Sequence, residues 1–310
     1  MEPPDLSVIV PVFNEAESLE PLYGELTAAL DGGDPYELVF VDDGSRDGSF
    51  ESLARLHGKD PRVRVVRLAR NFGQQVALAA GIEHAKGRVL VSFDADLQFD
   101  PRDIPRLVAK VEEGCDVVSG RRTGRGDGFL SRRLPSAVVN WTMGRLTGTR
   151  LRDATSPFKA VRRELVEDLG HYGEMRRFLG ALALKVGRRI AEVPVAHRPR
   201  RSGQSKYSPL DLVAGYLDFI TAFWPRAFQM VGLVGIGSML LSACGVVLYV
   251  PLRAVFEIPL MLRAQMQVVV LLLGAFGLQC VILGLLGEFI TRIYRLVQDR
   301  PLYVVKELLD

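Results

Sequence analysis

The chain has 310 residues, of which 48% are hydrophobic and 24% charged, and these fractions exclude a disordered or low-complexity protein. Its 39 basic and 36 acidic residues give a net charge of +3, which is too even for a protein that wraps nucleic acid, so we expect no nucleic-acid partner. A positive mean hydropathy of +0.15 beside this charge content indicates a water-soluble part and a separate apolar part.

Short apolar runs alternate with helix-like stretches before the long apolar region. The predicted strands are Leu6–Val12, Glu37–Val41, Val63–Leu68, Val89–Phe93 and Asp116–Ser119. The predicted helices run from a cap at Asn14 to about Leu30, from Gln74 to Ala85 and from about Ile104 to Glu113. This alternation predicts an α/β sheet with largely parallel strands, in which ligands bind beyond the carboxyl ends of the strands.

Two acidic clusters follow predicted strands. Asp94 and Asp96 are two residues apart, so a period of two points both carboxylates to one face, and Gln98 continues the alternation. Oxygen ligands of this kind suit Mg²⁺ or Mn²⁺, which usually bind substrate phosphates as well. The alternative is a chance acidic turn. The second cluster, Asp42–Asp43, favours the metal site because it follows a neighbouring strand.

The second cluster opens a turn, Asp42–Ser49, that is rich in acidic and small residues. An acid after a second strand commonly accepts hydrogen bonds from a ribose or a base. The same turn also suits the start of the next helix, with Ser45 or Asp47 as its cap. The two interpretations are compatible.

Two long stretches without charged residues follow, Ala227–Leu252 and Ala264–Gly287. Each is long enough for a helix that crosses a bilayer core about 30 Å thick. Their small residues allow close helix contact, so we expect a homo-oligomer. The alternative is a pair of buried helices in a soluble core, which would usually be shorter and amphipathic.

Charges around these stretches predict their orientation. The loop Pro251–Arg263 carries two arginines and one glutamate, whereas basic residues are more numerous before the first stretch and after the second. The positive-inside rule therefore places the preceding domain and both termini in the cytoplasm. The region Ser208–Pro225 is amphipathic and is expected at the membrane interface, the alternative being an ordinary packed helix pair.

Five motifs stand in order along the chain. They are PVFNE at residues 11–15, VDDGS at 41–45, NFG at 71–73, DADLQ at 94–98 and RRSGQSKY at 200–207. The first four resemble the inverting glycosyltransferases of family 2, and the fifth is similar to an element of the polyprenyl-phosphate glycosyltransferases. That group includes bactoprenol glucosyltransferases, undecaprenyl-phosphate aminoarabinose transferases and, in the catalytic domain, dolichol-phosphate mannosyltransferases. The resemblance covers nearly the whole chain, since GLLGEFI at 284–290 resembles the bacterial members.

The resemblance implies a domain plan. A GT-A (Rossmann-like) domain would occupy 1–205, juxtamembrane amphipathic helices 206–226, two transmembrane helices with a short external loop 227–291, and a cytosolic tail 292–310. The protein would be a multi-pass protein of the inner (plasma) membrane.

The resemblance also implies an activity. The protein would transfer one sugar, with inversion and with Mg²⁺ or Mn²⁺, from a nucleotide sugar to polyprenyl phosphate, by analogy undecaprenyl phosphate. UDP-glucose is the favoured donor and GDP-mannose is the alternative. A processive polysaccharide synthase is disfavoured, because two spans are too few for a polymer channel. An alternative of another class is a non-catalytic, membrane-anchored protein that binds nucleotide sugars.

Position by position, the resemblance assigns residues to roles. The residues implied for the nucleoside pocket are Pro11, Phe13, Glu15, Asp42, Asp43 and Asp94. The implied ligands of the metal ion on the diphosphate are Asp94, Asp96 and Gln98. The implied catalytic residues are Asp94, Asp96, Arg121 and Arg200. The implied contacts of the acceptor phosphate are Arg132, Ser136, Ser205 and Lys206.

An anionic acceptor is chemically consistent with this set. A phosphate monoester, with a second pKa of about 6, needs little general-base help, so positioning and charge screening should carry most of the rate. The arginine pairs at 121–122, 132–133 and 200–201 suit such an anion, or else form a solvated basic face that meets lipid head groups. Asp153 is either an acceptor-side or sugar-side residue or part of a structural turn.

Overall fold

The computed structural model describes residues 4–123, 144–145, 148, 151–169, 179–198, 227–255, 260–297 and 301–310. These residues belong to two compact units, one within 1–216 and 300–310 and the other within 217–299, and each is described by itself.

A mixed sheet forms the centre of the first unit. In the described residues its strands are β1 Leu6–Val12, β2 Tyr36–Asp42, β3 Val63–Leu68, β4 Val89–Ser92, β5 Val117–Thr123, β6 Lys159–Arg162, β7 Ile190–Ala196 and β8 Val305–Leu309. Their spatial order is β7-β5-β6-β4-β1-β2-β3-β8. β6 and β8 are antiparallel to their neighbours, and the other pairings are parallel. The predicted α/β sheet with largely parallel strands is therefore confirmed.

Helices connect these strands. They are α1 Ala16–Leu30, α2 Ser49–Lys59, α3 Gln74–His84, a 3-10 turn Pro101–Asp103, α4 Ile104–Glu112, α5 Arg163–Leu169 and α6 Leu179–Val186. The central strands are buried on both faces: every residue of β2 is buried, and so is every residue of β1 except Pro11. Such two-sided burial is typical of parallel strands covered by helices.

The central strands end at the same edge of the sheet. Val12 on β1 is level with Asp42 on β2, and Ile9 on β1 is level with Ser92 on β4. The chain after β4 stays beside β1, because the Phe93 N–H donates to the Ile9 carbonyl at 2.9 Å. Both acidic clusters therefore follow strands that flank β1.

The first turn of α1 is capped from a neighbouring turn. Asn14 has a positive φ of 51°, and its Oδ1 accepts a hydrogen bond from the Arg46 N–H at 2.9 Å. The Ala16 N–H donates to Asp47 Oδ2 at 3.0 Å, while Asp47 Oδ1 accepts from the Ser49 N–H at 3.1 Å. The prediction that Asn14 caps α1 is wrong, because Asp47 supplies that acceptor. Asp47 thus also accepts from the first residue of α2, but the prediction that Ser45 or Asp47 is the cap of that helix is wrong, because Gly48 occupies the N-cap position.

A strand follows the long apolar region, at a place where the sequence predicts only a cytosolic tail. β8 runs antiparallel to β3, with Arg67 level with Glu307 and Val65 level with Leu309. It covers an edge of β3 that would otherwise expose backbone hydrogen-bonding groups.

The second unit contains two long helices in its described residues, α7 Ala227–Val255 and α8 Leu260–Val297. Stretches within them, Phe228–Tyr249 and Ala264–Thr291, are long and apolar enough to cross a membrane, and only 6% and 17% of their most apolar parts are buried. This exposure disfavours two buried helices of a soluble core.

The predicted loop Pro251–Arg263 is largely helical in the structure. α7 continues to Val255 and α8 begins at Leu260. The loop prediction was too long, because arginine ends an apolar run without ending a helix.

Glycines bring α7 and α8 together. A Cβ on Gly235 would lie 2.6 Å from the Gly277 carbonyl oxygen, so the two backbones touch at this crossing. The Ser238 hydroxyl donates across the pair to the Leu273 carbonyl at 2.9 Å. Small residues therefore do allow close helix contact, as expected, whereas the homo-oligomer stays a prediction.

Candidate active site

The segment after β4 alternates between buried apolar and partly exposed polar side chains. The buried ones are Phe93, Ala95, Leu97 and Phe99. The partly exposed ones are Asp94, Asp96 and Gln98. The segment is a turn beyond the strand. Its side chains nevertheless alternate between buried and partly exposed with the predicted period of two.

Phenylalanine rings hold this segment in place from the core side. The Phe93 ring centroid lies 5.2 Å from that of Phe158, and the Phe99 centroid lies 5.3 Å from it. Tilted and edge-to-face packing of this kind has a specific geometry. The backbone that carries the two acids is therefore fixed by buried side chains.

Helix α3 supplies a site residue that the sequence analysis did not assign. Gln74, its first residue, donates its side-chain Nε2–H to Asp94 Oδ1 at 2.7 Å. The available signal was its position directly after the NFG motif at 71–73. This hydrogen bond orients one of the two carboxylates.

The Asp43 carboxylate ties the turn after β2 to the loop before α3. Its two oxygens accept from the Phe72 N–H at 2.7 Å and the Gly73 N–H at 2.9 Å. Burial raises the pKa of Asp43, although these two N–H groups oppose the shift. Gly44 has a φ of +71°, and a Cβ there would lie 2.6 Å from the Arg70 carbonyl carbon, so glycine is required.

Asp42 is fully buried at the end of β2. Its Oδ1 accepts from the Ser45 N–H at 3.0 Å, whereas Oδ2 has no hydrogen-bond donor within the described ranges. The Arg67 Nε lies 3.7 Å from Oδ2. A buried carboxylate needs such compensation, because desolvation of the charge is costly.

The loop after β1 lies between the two acidic clusters, since β1 lies between β2 and β4. The Glu15 N–H donates to the Ser49 hydroxyl at 3.0 Å, which joins this loop to the neighbouring turn. The structure brings to one edge the predicted nucleoside residues Pro11, Phe13, Glu15, Asp42, Asp43 and Asp94. Their role in nucleoside binding stays a prediction.

The donor atoms at this edge fit a divalent metal ion. Among the residues that the structure describes, no three His, Cys, Asp or Glu side chains form a group that could hold a metal. Mg²⁺ and Mn²⁺ do not need one, since they commonly take one or two carboxylates and complete their shell with water and substrate phosphates. Asp94, Asp96 and the Gln98 amide oxygen suit an ion that also binds a diphosphate.

The two arginines at the end of β5 differ in role. Arg122 donates from Nε and Nη2 to the two oxygens of Asp153, each at 2.7 Å. Burial raises the pKa of Asp153, but the hydrogen bonds and charge of Arg122 outweigh it, so the net shift is downward. This geometry favours the structural alternative for Asp153 and removes Arg122 from a solvated basic face. Arg121 is level with Pro194 of β7, and β6 lies between its strand and β4.

A buried lysine also escaped the sequence analysis. Lys159, the first residue of β6, is 6% exposed, and its ammonium group donates to the Ser156 carbonyl. Burial lowers the pKa of Lys159 to about 8, while the charges of Asp153 and Asp94 oppose the shift. Its signal was a single basic residue between Phe158 and Ala160, in a run that reads as a strand.

Several predicted site residues lie outside the described residues. They are Arg132, Ser136, Arg200, Ser205 and Lys206, and the predicted amphipathic region Ser208–Pro225 lies outside as well. The described range 179–198 ends two residues before Arg200, and the N–H of its last residue, Arg198, donates to the Gln98 carbonyl at 2.7 Å. The RRSGQSKY motif therefore follows directly on a contact with the acidic segment.

An α/β sheet with acidic clusters beyond its central strands is a GT-A-like arrangement. The profile of Glycosyl transferase family 2 matches residues 7–170, a range that includes both clusters and more than half of the chain. The chain belongs to glycosyltransferase family 2, and the protein is a glycosyltransferase.

One relative is similar over nearly the full length. Undecaprenyl-phosphate 4-deoxy-4-formamido-L-arabinose transferase of Shewanella sediminis (strain HAW-EB3), a polyprenyl-phosphate glycosyltransferase, is 37% identical over 306 residues, which cover 98% of this chain and 92% of the relative. The similarity therefore includes both apolar helices.

Solved structures of glucosyl-3-phosphoglycerate synthase from Mycobacterium tuberculosis share the fold. One, in complex with Mn²⁺, UDP-glucose and phosphoglyceric acid, has a TM-score of 0.51 at 23% identity, covering 72% of this chain and 79% of that one. Another, with phosphoglyceric acid, has a TM-score of 0.50 at 22% identity, covering 71% and 80%.

Proposed function

We propose that the protein transfers a single sugar from a nucleotide sugar to a polyprenyl phosphate, with inversion at the anomeric carbon. The observation that carries this proposal is the similarity, over 98% of the chain, to a transferase whose name states an undecaprenyl-phosphate acceptor. Two long apolar helices support a lipid acceptor, since helices that can cross a membrane would keep the enzyme close to a lipid in that membrane.

The donor is the finer part of the proposal. UDP-glucose is the first candidate, because the two-helix anchor resembles that of bacterial glucosyltransferases. A nucleotide-linked 4-deoxy-4-formamido-L-arabinose is the second, because the relative carries that sugar in its name. GDP-mannose is the third. The nucleoside would bind at the edge formed by Pro11, Phe13, Glu15 and the Asp42–Asp43 turn.

Asp94, Asp96 and Gln98 would hold Mg²⁺ or Mn²⁺ on the donor diphosphate. When bound, such an ion neutralises the charge that develops on the leaving nucleotide. Gln74 orients the Asp94 carboxylate, and the phenylalanine rings fix the backbone beneath it. These contacts would hold the Asp94 carboxylate in place before the donor binds.

The acceptor phosphate would meet Arg132, Ser136, Arg200, Ser205 and Lys206, with Arg121 near the diphosphate. One phosphate oxygen forms a bond to the anomeric carbon while the bond from that carbon to the nucleoside diphosphate breaks on the opposite face. The acceptor is already anionic, so arginines that position it and screen its charge supply most of what the reaction needs.

The two apolar helices would anchor a multi-pass protein in the inner (plasma) membrane, with the catalytic unit and both ends in the cytoplasm. β8 supports only one part of this, that the chain before α7 and the chain after α8 lie on the same side, because it pairs with β3 in the sheet that contains β1. A chain that leaves a sheet and returns to it crosses a membrane an even number of times. The region 206–226 would lie at the membrane interface, and the glycine-rich helices suit a homo-oligomer.

The test uses the full-length protein in detergent with undecaprenyl phosphate and Mn²⁺ or Mg²⁺. Radiolabelled UDP-glucose, UDP-N-acetylglucosamine and GDP-mannose are offered separately, and label in the organic phase is measured. Metal-dependent transfer from one donor supports the reaction and identifies the sugar, and the NMR coupling of the product's anomeric proton reports inversion. Asp96→Ala should abolish transfer without lowering Tm, whereas Asp34→Ala, an exposed acid before β2, should be active.

Nucleotide binding without transfer would direct the assay to the formamido-arabinose donor. If Asp96→Ala kept full activity, the metal site would be excluded. If the wild-type protein bound no nucleotide and transferred no label, the proposed reaction would be wrong.

A further inference from the structure

Three charged side chains form a row across β2, β3 and β8. Asp42, Arg67 and Glu307 are level with one another in the strand registers. The Arg67 Nε lies 3.7 Å from Asp42 Oδ2, and its Nη1 lies 3.5 Å from Glu307 Oε2. The Arg67 guanidinium also stacks on the Phe50 ring at 3.9 Å from the centroid. The arginine is therefore held on one face while it bridges two carboxylates.

We propose that Arg67 is a positioning residue for donor binding, and that Glu307 of β8 holds it in place. The inference rests on the proposed function, in which Asp42 lines the nucleoside pocket. Arg67 offsets the charge of the fully buried Asp42 and fixes the side on which its second oxygen lies. The part of the chain beyond α8 thereby contributes to the nucleotide subsite without touching the nucleotide.

The two ends of the row differ in exposure. This difference predicts that loss of the Arg67 charge has a larger effect than loss of the Glu307 charge. The Asp42 side chain is 0% exposed and that of Glu307 is 45% exposed. Loss of the Arg67 charge leaves a buried carboxylate uncompensated, which has a large effect. Loss of the Glu307 charge removes one solvent-screened contact from Arg67, which has a small effect.

A second ion pair between β3 and the end of the chain provides a matched control. Arg64 pairs with Asp310 and, at 3.1 Å, with Glu37. Arg64 is at the start of β3, whereas Arg67 is near its end, level with Asp42. Asp310→Asn therefore removes the same kind of contact without disturbing the row.

The experiment is calorimetric titration of the full-length protein in detergent with UDP, GDP and CDP, each with Mn²⁺. For the nucleotide that binds, we expect Kd to rise about tenfold in Arg67→Gln and about threefold in Glu307→Gln. Arg67→Lys, which keeps the charge, should recover part of the loss, and Asp310→Asn should leave Kd unchanged. The Tm of each variant distinguishes weaker binding from weaker folding. Glu307→Gln and Asp310→Asn should lower Tm by similar amounts, so a difference between their Kd values reports binding.

Coupling between the residues gives a second readout. In the Arg67→Gln background, Glu307→Gln should cause no further loss, because Glu307 acts through Arg67. An unchanged Kd in Arg67→Gln, or equal changes in Glu307→Gln and Asp310→Asn, would overturn the inference and leave the proposed function standing. If the wild-type protein bound none of the three nucleotides, the inference would be overturned, and the proposed function would be overturned as well only if no label were transferred.

Discussion

Gln74 donates a hydrogen bond from its side-chain amide to the Asp94 carboxylate at 2.7 Å, which joins the first turn of α3 to the segment after β4. The preceding residues, Phe72 and Gly73, donate their backbone N–H groups to Asp43. Three consecutive residues therefore connect the two acidic clusters, so the position of one cluster depends on the other.

Gln74→Leu removes this amide at nearly constant volume. We expect kcat/KM for the donor to fall about ten- to hundredfold, because a hydrogen bond to a charged group contributes about 1.5–3 kcal/mol. Gln75→Leu, at the exposed neighbouring position, is the control and should keep the wild-type value. Equal kcat/KM values for the two variants in a steady-state transfer assay would contradict the role of Gln74.

Asp153→Asn breaks the bidentate pair with Arg122, whose side chain is only 13% exposed. We expect a loss of about 3 kcal/mol in the free energy of unfolding, because a buried guanidinium loses its counter-charge. Transfer per folded molecule should be retained. Arg88→Gln, which breaks an exposed pair with Asp5, should leave the free energy of unfolding nearly unchanged. An inactive but stable Asp153→Asn protein would instead support the sugar-side alternative.

We expect Lys159 to make the stability of the protein depend on pH in the alkaline range. Its pKa is lowered by burial from 10.5 to about 8, so between these values the unfolded chain binds more protons than the folded one. The free energy of unfolding therefore rises with pH across this window. Relative to Lys159→Met, the wild-type protein should gain about 5 °C in Tm as pH rises from about 8 to about 10.5. Fluorimetric unfolding in detergent measures this, and a constant difference between the two proteins would refute it.

Gly235→Ala should destabilise the contact between α7 and α8. The added Cβ would lie 2.6 Å from the Gly277 carbonyl oxygen, whereas a Cβ on Gly237 meets no atom within 4 Å. Both substitutions raise helix propensity equally, so their comparison isolates packing. We expect Tm to fall by several degrees in Gly235→Ala only. Similar Tm values would show that the two helices separate in detergent.

Local patterns in the sequence predicted the acidic segment well. The alternation from Phe93 to Gln98 depends on neighbouring residues alone, because buried side chains at every second position force the others outward. The end of β2 was equally clear, since an apolar run stops at Asp42. The polar edge of the site was predictable because the end of a strand, and the alternation of buried and exposed side chains after it, depend on only a few neighbouring residues.

Features that depend on distant partners were not predictable. Asp47 caps α1 from 31 residues away, and no residue near Ala16 indicates that a distant side chain supplies this cap. β8 contains Lys306, Glu307 and two leucines, residues that favour helices, and becomes a strand only because β3 offers an open edge. Lys159 is buried by strands on both sides, which a short run cannot reveal.

The position of β8 after α8 also sets the order in which the molecule is completed. The chain makes β3 early, but its outer edge has no partner strand until the residues beyond both apolar helices have been synthesised. Until then the N–H and C=O groups along β3 form a template on which two unfinished chains can pair. Synthesis of both apolar helices therefore precedes closure of the sheet, and a chain that stalls between α7 and β8 leaves the edge of β3 unpaired.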